Sequence, residues 1–213
     1  MSGRPLVAVV DYGAGNLVSI HQALTTVGAD VRIAEAPMDL AGVDAVVVPG
    51  VGAAAPAMVR LDGQGLTGPI AAWLAADRPF LGICLGLQLL FEGSDEDDAV
   101  TFGTLPGRTV RLVDAPTLPH IGWNQVERSR AHPIFDGIED GADYYFVHSY
   151  AGALPGAAAD GADDIVLART THGRPFVSAV ARGSMVGVQF HPERSGRDGL
   201  RLLANFVDLV RAA

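Results

Sequence analysis

The sequence predicts an α/β fold with a doubly wound, mostly parallel central sheet and an antiparallel extension. Over residues 6–91, short apolar runs alternate with helical patterns, as expected for parallel strands buried on both faces. From about 109 to 181, apolar and polar residues alternate between turns rich in Gly, Pro and Asp, which is typical of antiparallel strands. A further apolar strand and an amphipathic helix then complete the chain.

The parallel portion is predicted to contain four strands with helices between them. The strands are the apolar runs Leu6–Val10, Val31–Ala34, Ala45–Val48 and Phe80–Ile83. The first helix is expected from Leu17 to Val27, with Asn16 as its N-cap and Gly28 as its stop. Helical patterns also cover Ile70–Ala76 and Leu85–Phe91.

The last part of the chain is predicted to form one strand and one helix. Met185–Phe190 is an apolar strand that delivers His191, and 198–211 is an amphipathic helix. Its apolar stripe consists of Leu202, Leu203, Phe206, Val207 and Val210. The Ala, Gly and Asp of 152–164 predict an exposed loop. Without an internal repeat or a long linker, residues 1–213 are expected to be one domain.

Composition and charge exclude several classes of protein. The net charge of −9, with an acidic cluster at 95–98, argues against nucleic-acid binding. The first five residues are too short and polar for a signal peptide, and the longest apolar stretch, 80–91, is too short to span a membrane. The single cysteine suits a reducing cytoplasm. All fifteen basic residues are arginine, which excludes lysine chemistry.

Neither a cofactor nor a metal is predicted. The segment from Asp11 to Asn16 is rich in glycine, but Val18 stands where a dinucleotide fingerprint needs its third glycine. The histidines other than His191 have no metal-ligand spacing, so no zinc or iron site is expected.

The only cysteine, Cys84, lies where a predicted strand meets a predicted helix. Gly82 and Gly86 flank it in the G-x-C-x-G spacing of a nucleophile elbow, with sulfur in place of oxygen. A lone buried cysteine is more often structural, but glycine at both crowded positions favours a nucleophile. The helix N-terminus favours the thiolate, and the N–H of Leu85 is a candidate oxyanion donor.

Two further segments complete a candidate catalytic site. His191 and Glu193 flank a proline, and with Cys84 they supply the thiol, imidazole and carboxylate of a catalytic triad. An isolated His-Pro-Glu would be read as a turn with an exposed acid; the elbow changes that interpretation. The segment Pro49-Gly50-Val51-Gly52 follows a strand, and both an ordinary turn and an oxyanion loop are compatible with it.

These motifs resemble a known family. Gly82-Ile83-Cys84-Leu85-Gly86-Leu87-Gln88 with His191-Pro192-Glu193 resembles the class I (triad) glutamine amidotransferases. Three more segments, together with the oxyanion-loop sequence, are similar to the glutaminase subunits of imidazole glycerol phosphate synthase. They are Asp11-Tyr12-Gly13-Ala14-Gly15-Asn16-Leu17, Pro119-His120-Ile121-Gly122-Trp123-Asn124 and Tyr145-Phe146-Val147-His148-Ser149-Tyr150. The resemblance covers essentially the whole chain.

The resemblance implies hydrolysis of glutamine, with Cys84 as nucleophile, His191 as acid and base, and Glu193 orienting His191. It also implies an oxyanion hole and a substrate pocket. The oxyanion residues would be Gly50, Val51, Gly52 and Leu85, and the pocket residues Gln88, Glu96, His148, Ser149 and Tyr150. Glu96 would bind the substrate α-amine.

The resemblance further implies a partner, a (β/α)8-barrel cyclase subunit that forms a heterodimer with this chain. The cyclase would use the ammonia to make imidazole glycerol phosphate and an aminoimidazole ribotide in histidine biosynthesis. Four residues are expected at the interface: Asn16 after the first strand, Trp123 and Asn124 in a Gly-Trp-Asn turn, and Arg194 beside the triad. Arg194 departs from the family, which often has lysine there.

Other functions are compatible with parts of this pattern. Another free-standing triad glutaminase, such as that of pyridoxal phosphate synthesis, would share the elbow but not the Gly-Trp-Asn and His-Ser-Tyr segments. A catalytically silent partner-binding subunit would not need an intact triad. A peptidase-like cysteine hydrolase would cleave peptide amides.

Overall fold

A computed structural model describes residues 3–155 and 164–213, which form two sheets with helices packed around them. The strands are β1 (Leu6–Val10), β2 (Asp30–Ala34), β3 (Ala45–Val48), β4 (Phe80–Ile83), β5 (Gly93–Ser94), β6 (Arg108–Arg111), β7 (His120–Arg128), β8 (Ala142–His148), β9 (Tyr150–Ala153), β10 (Val166–His172), β11 (Arg174–Arg182) and β12 (Met185–Val188). The α-helices are α1 (Leu17–Thr26), α2 (Ala54–Gly63), α3 (Thr67–Ala75), α4 (Leu85–Gln88) and α5 (Gly196–Ala212).

The nine-stranded large sheet has the order β2-β1-β3-β4-β12-β11-β10-β7-β8. The first five strands in this order run parallel and are called here the parallel half. The remaining four strands, β11-β10-β7-β8, pair antiparallel and are called the antiparallel half. The predicted combination of a parallel sheet with an antiparallel extension is therefore confirmed. The small sheet consists of β5, β6 and β9.

Both faces of the parallel half are buried, which explains its continuous apolar sequence. Alternate residues of β1 enter different cores, because side chains of a strand point to opposite faces. Val7 and Val9 belong to the core that includes the apolar stripe of α5. Ala8 and Val10 belong to the core that includes α2 and α3. Helices on both faces make the sheet doubly wound, as predicted.

Helix prediction was less accurate than strand prediction. Helix α2 was missed: its sequence contains Pro56, but proline is tolerated there because the first turn needs no N–H donor. Helix α4 ends at Gln88 and not at Phe91. Beyond Gln88 the chain tightens, since Leu90 and Phe91 donate to the carbonyl groups three residues earlier. No helix of the described residues is long and apolar enough to cross a bilayer.

Two predicted loops contain strand residues. The predicted Gly-Trp-Asn turn is wrong, because these residues lie within β7, where Trp123 is paired with Tyr145 of β8. The predicted exposed loop 152–164 begins too early, since Gly152 is buried in β9. Residues 156–163 of that loop lie outside the described residues.

Candidate active site

Cys84 occupies a strained turn between β4 and α4. Its φ of +53° lies in a region that side-chain-bearing residues rarely adopt. A Cβ on Gly82 would lie 2.6 Å from the carbonyl oxygen of Gly86, and one on Gly86 would collide with that of Val48. The two glycines are therefore required by close backbone approach, as the elbow spacing predicts. The N–H of Cys84 donates to Val188 at 2.7 Å, which ties the turn to β12.

His191 follows β12 and forms a buried pair with Glu193. The ring Nδ1 lies 2.8 Å from Oε1 of the carboxylate, and both side chains are less than a tenth exposed. Since a carboxylate only accepts, Nδ1 carries the proton. Nε2 is buried, and no hydrogen bond of standard geometry reaches it from the described residues. The second ring nitrogen is thus left for the thiol.

The thiol and the imidazole interact electrostatically. Burial disfavours the charged imidazolium, but the negative charge of Cys84 and a hydrogen bond to it, followed by Glu193, outweigh burial and raise the pKa of His191. These interactions favour the protonated imidazolium of His191 beside the sulfur, the neighbour that activates a cysteine nucleophile.

A polar cavity of about 220 Å³ opens beside Cys84. All five predicted substrate residues line it, namely Gln88, Glu96, His148, Ser149 and Tyr150. Partial burial, and then the neighbouring charge of Asp97, raise the pKa of Glu96. The cavity therefore combines a carboxylate, amide and hydroxyl groups next to the nucleophile, a set that suits a small zwitterionic substrate.

The predicted oxyanion loop presents an acceptor to the elbow. The N–H of Leu85 donates to the carbonyl oxygen of Gly50 at 3.4 Å. Tyr12 packs beneath this loop: its hydroxyl donates to the carbonyl of Pro49 at 2.9 Å, and a Cβ on Gly50 would collide with that hydroxyl. Val51 is half exposed, and Gly52 has a φ of +98°. In this conformation Leu85 is not free to bind an oxyanion.

Two glutamine side chains connect the cavity to the sulfur. Nε2 of Gln88 lies 2.8 Å from the carbonyl oxygen of Tyr150 and 3.2 Å from Oε1 of Gln189. Nε2 of Gln189 lies 3.5 Å from Sγ of Cys84. Sequence reasoning gave Gln189 no role, because it lies inside a strand-like run. The feature of the sequence that could have indicated a role is that Gln189 is polar at a position predicted to be fully buried.

The antiparallel half brings three histidines together. Nδ1 of His120 lies 3.1 Å from Nε2 of His148, and the rings of His120 and His172 stack at 4.0 Å. Burial is the main cause that lowers the pKa of His120 to about 4 and that of His148 to about 3, so both are neutral. Within the described ranges, no cluster of metal-ligating side chains has metal-binding geometry.

The residues predicted at an interface lie in different environments. Trp123 is 59% exposed, so its side chain is not part of the hydrophobic core. Its ring contacts that of Tyr145 edge-on, and the guanidinium of Arg194 lies 4.3 Å from the centre of the same Tyr145 ring. Asn16 is exposed and caps α1, accepting from Ser19 at 3.3 Å.

Asn124 differs from the other predicted interface residues because its half-buried side chain bonds to two groups of this chain. Its Nδ2 donates to the carbonyl of Thr171 at 3.0 Å and lies 3.1 Å from Nε2 of His120.

Comparisons with known proteins agree with this geometry. A family model described as "Glutamine amidotransferase class-I" matches residues 8–209. A Moorella thermoacetica protein named imidazole glycerol phosphate synthase subunit HisH is 44% identical, over 99% of this chain and 97% of its own. A protein of the same name from Chloroflexus aurantiacus is 47% identical, over 95% of each chain. The structure of PurLQS from Thermotoga maritima has a TM-score of 0.74 at 18% identity, covering 96% of this chain and 98% of that one, and supports the fold alone.

Proposed function

Because the chain belongs to the class I glutamine amidotransferase family, and within it to the HisH subunits of imidazole glycerol phosphate synthase, we propose that Cys84, His191 and Glu193 hydrolyse the side-chain amide of glutamine. The observation that carries the proposal is the position of Cys84. It lies in a strained elbow, interacts with the buried His191–Glu193 pair, and opens onto a cavity lined by every residue predicted to bind glutamine.

In the proposed reaction, Cys84 acts as a thiolate and His191 as an imidazolium. The thiolate of Cys84 attacks the amide carbon, and the imidazolium of His191 gives its proton to the nitrogen as ammonia leaves. His191 then takes a proton from water, which attacks the thioester and releases glutamate and the thiolate. Glu193 holds Nδ1 protonated and keeps Nε2 directed to the reacting groups. Glu96, which lines the cavity, would bind the substrate α-amine.

The ammonia is passed to a cyclase partner. The relatives are named as subunits of imidazole glycerol phosphate synthase, so we propose that residues 1–213 form one domain that binds a (β/α)8-barrel cyclase as a heterodimer in the cytoplasm. That partner would convert the nucleotide substrate into imidazole glycerol phosphate for histidine biosynthesis. The docking surface would contain Asn16, Trp123 and Arg194, which are exposed.

The oxyanion loop supplies a means of regulation. With Leu85 bonded to the Gly50 carbonyl, the isolated subunit lacks one oxyanion donor. Glycines permit a peptide flip at low cost, and loss of one donor slows an enzyme about 10²–10³-fold. We therefore expect the liganded cyclase to favour the flipped loop.

One set of assays tests these proposals. Glutaminase turnover is measured for the free subunit, for the complex with the cyclase, and for the complex with the cyclase nucleotide bound. We expect turnover to rise along this series, and equal rates in all three states would refute the loop switch. Cys84→Ala should abolish glutamine-dependent synthesis while ammonium salts still support cyclisation. An assembled Cys84→Ala complex that ammonium does not rescue would contradict the division of labour.

A further inference from the structure

Gln189 is a fully buried polar side chain next to the reacting sulfur. It has no exposed surface, and its Nε2 lies 3.5 Å from Sγ of Cys84. We propose that Gln189 is a catalytic residue that donates an N–H hydrogen bond to the thiolate of Cys84. The Tyr150 carbonyl, acting through Gln88, fixes the orientation of the Gln189 amide. The inference rests on the proposed function, because it assigns a new group to the same nucleophile.

The orientation of the Gln189 amide follows from one obligatory acceptor. The carbonyl of Tyr150 can only accept, so Gln88 must place its NH₂ group, and not its oxygen, at 2.8 Å from it. The same NH₂ group faces Gln189 at 3.2 Å, which requires Gln189 to present Oε1 there. The other end of the Gln189 amide is then NH₂, and this end faces the sulfur.

His148 strengthens the anchor from the opposite side. Its Nδ1 lies 2.9 Å from the carbonyl oxygen of Tyr150, so Nδ1 carries the proton and Nε2 accepts from His120. The outer nitrogen of His120 then accepts from Asn124. The carbonyls of Tyr150 and Thr171 can only accept, so the side-chain groups that contact them must donate. The direction of every hydrogen bond between these two carbonyls is thereby fixed.

The sulfur needs this donor because, apart from the His191 imidazolium, the other sources of stabilisation are weak here. Cys84 is 4% exposed, so a thiolate has lost most of its water. Helix α4 has only four residues, and the N–H of Leu85 is already bonded to Gly50. Hydrogen bonds to charged groups are stronger than neutral ones. Gln189 keeps its proton throughout: it stabilises the thiolate before attack and again when the thioester breaks.

The single cysteine makes the test direct, because alkylation of the chain by iodoacetamide reports on Cys84 alone. The alkylation rate is measured against pH for wild type, Gln189→Met and Gln189→Glu. Gln189→Met removes the donor without adding charge, and Gln189→Glu replaces the donor with an anion of similar shape. Gln22→Glu, on the exposed surface of α1, is the control for added charge. Thermal melting identifies variants that fail to fold.

We expect alkylation at neutral pH to fall about 3–10-fold in Gln189→Met and about 10-fold or more in Gln189→Glu, with the half-maximal rate moving to higher pH in both. Turnover of glutamine in the activated complex should fall in parallel, while KM changes less than about 3-fold, because Gln189 does not line the cavity. Gln22→Glu should match wild type.

A folded Gln189→Met with an unchanged alkylation profile would overturn the proposal. If Gln189→Glu alone alters the profile, the effect is charge repulsion and hydrogen-bond donation is again excluded. Should Gln189→Glu not fold, Gln189→Met decides the outcome. Because alkylation needs no glutamine, a shifted profile in an enzyme that hydrolyses some other amide would support Gln189 while refuting the substrate.

Discussion

The parallel and antiparallel halves of the large sheet contribute different kinds of groups to the site. The parallel half contributes backbone groups and the strained Cys84, the candidate nucleophile. Glycines that tolerate no side chain, such as Gly86 against the Val48 carbonyl, place them. From the antiparallel half come side chains, including His120 and His148 beside the cavity and Trp123 on the surface. His191 follows β12, the strand that joins the two halves.

This difference predicts how each half responds to substitution. Near the elbow, the positions of the reacting groups are set by the backbone. Substitutions there should therefore lower glutamine turnover. An exposed side chain on the surface of the antiparallel half, such as Trp123, contributes through its own contacts, so changes there should act on binding and leave the fold intact. Three sets of variants test the comparison.

The largest effect is expected where the two halves meet. Cys84→Ala and His191→Ala should each reduce glutamine turnover in the activated complex by about 10⁴-fold or more, because thiolate and imidazolium act as a unit. The double variant should lose hardly more than either single variant. Turnover is measured for the three variants with equal amounts of assembled complex. A double variant whose loss equals the product of the single losses would contradict the triad.

An intermediate effect is expected on the surface of the antiparallel half. Trp123→Ala should weaken cyclase binding about 30-fold, corresponding to about 2 kcal/mol for a central aromatic, without changing the melting temperature. Arg194→Ala should weaken it less, by about 1 kcal/mol, since its guanidinium packs on the half-buried Tyr145 ring. Affinities are measured by titration calorimetry.

Val59→Ala is the matched control for this binding measurement. It removes an exposed apolar side chain from α2, which packs on the parallel half. If Trp123→Ala and Arg194→Ala bind the cyclase like wild type, the docking surface lies elsewhere.

The smallest effect is expected from a hydroxyl beneath the oxyanion loop. Tyr12→Phe removes the donor to the Pro49 carbonyl and should lower the free energy of unfolding by about 1 kcal/mol. The same substitution at Tyr145, whose hydroxyl makes no hydrogen bond within the described ranges, should have little effect. Urea unfolding compares the two variants. Equal losses would show that the parallel half does not depend on this backbone contact.

Several features of the site can be predicted from the sequence because they are local. The elbow requires glycine two residues before and after Cys84, and both are present. Parallel strands are buried on both faces, so they appear as unbroken apolar runs. The capping of α1 is local as well, because Asn16 accepts from the N–H of Ser19, which is three residues further along the chain.

Other features were decided by contacts between distant parts of the chain. Gln88 and Gln189 are 101 residues apart, and Gln189 meets Cys84 only because β12 pairs with β4. Trp123 was placed in a turn because Gly-Trp-Asn has turn-forming residues, but pairing with β8 holds it in a strand. Local preferences are weaker than strand pairing.

The sequence by itself therefore determined the class of fold and predicted the nucleophile and its acid–base partner, since each depends on residue types at short spacings. Only the tertiary structure decided that the Gly50 carbonyl accepts from the N–H of Leu85, that Asn124 bonds to His120 and Thr171, and that Gln189 faces the sulfur. The physical reason is that a hydrogen bond needs both partners within about 3.5 Å, and strand pairing, not sequence spacing, brings these partners together.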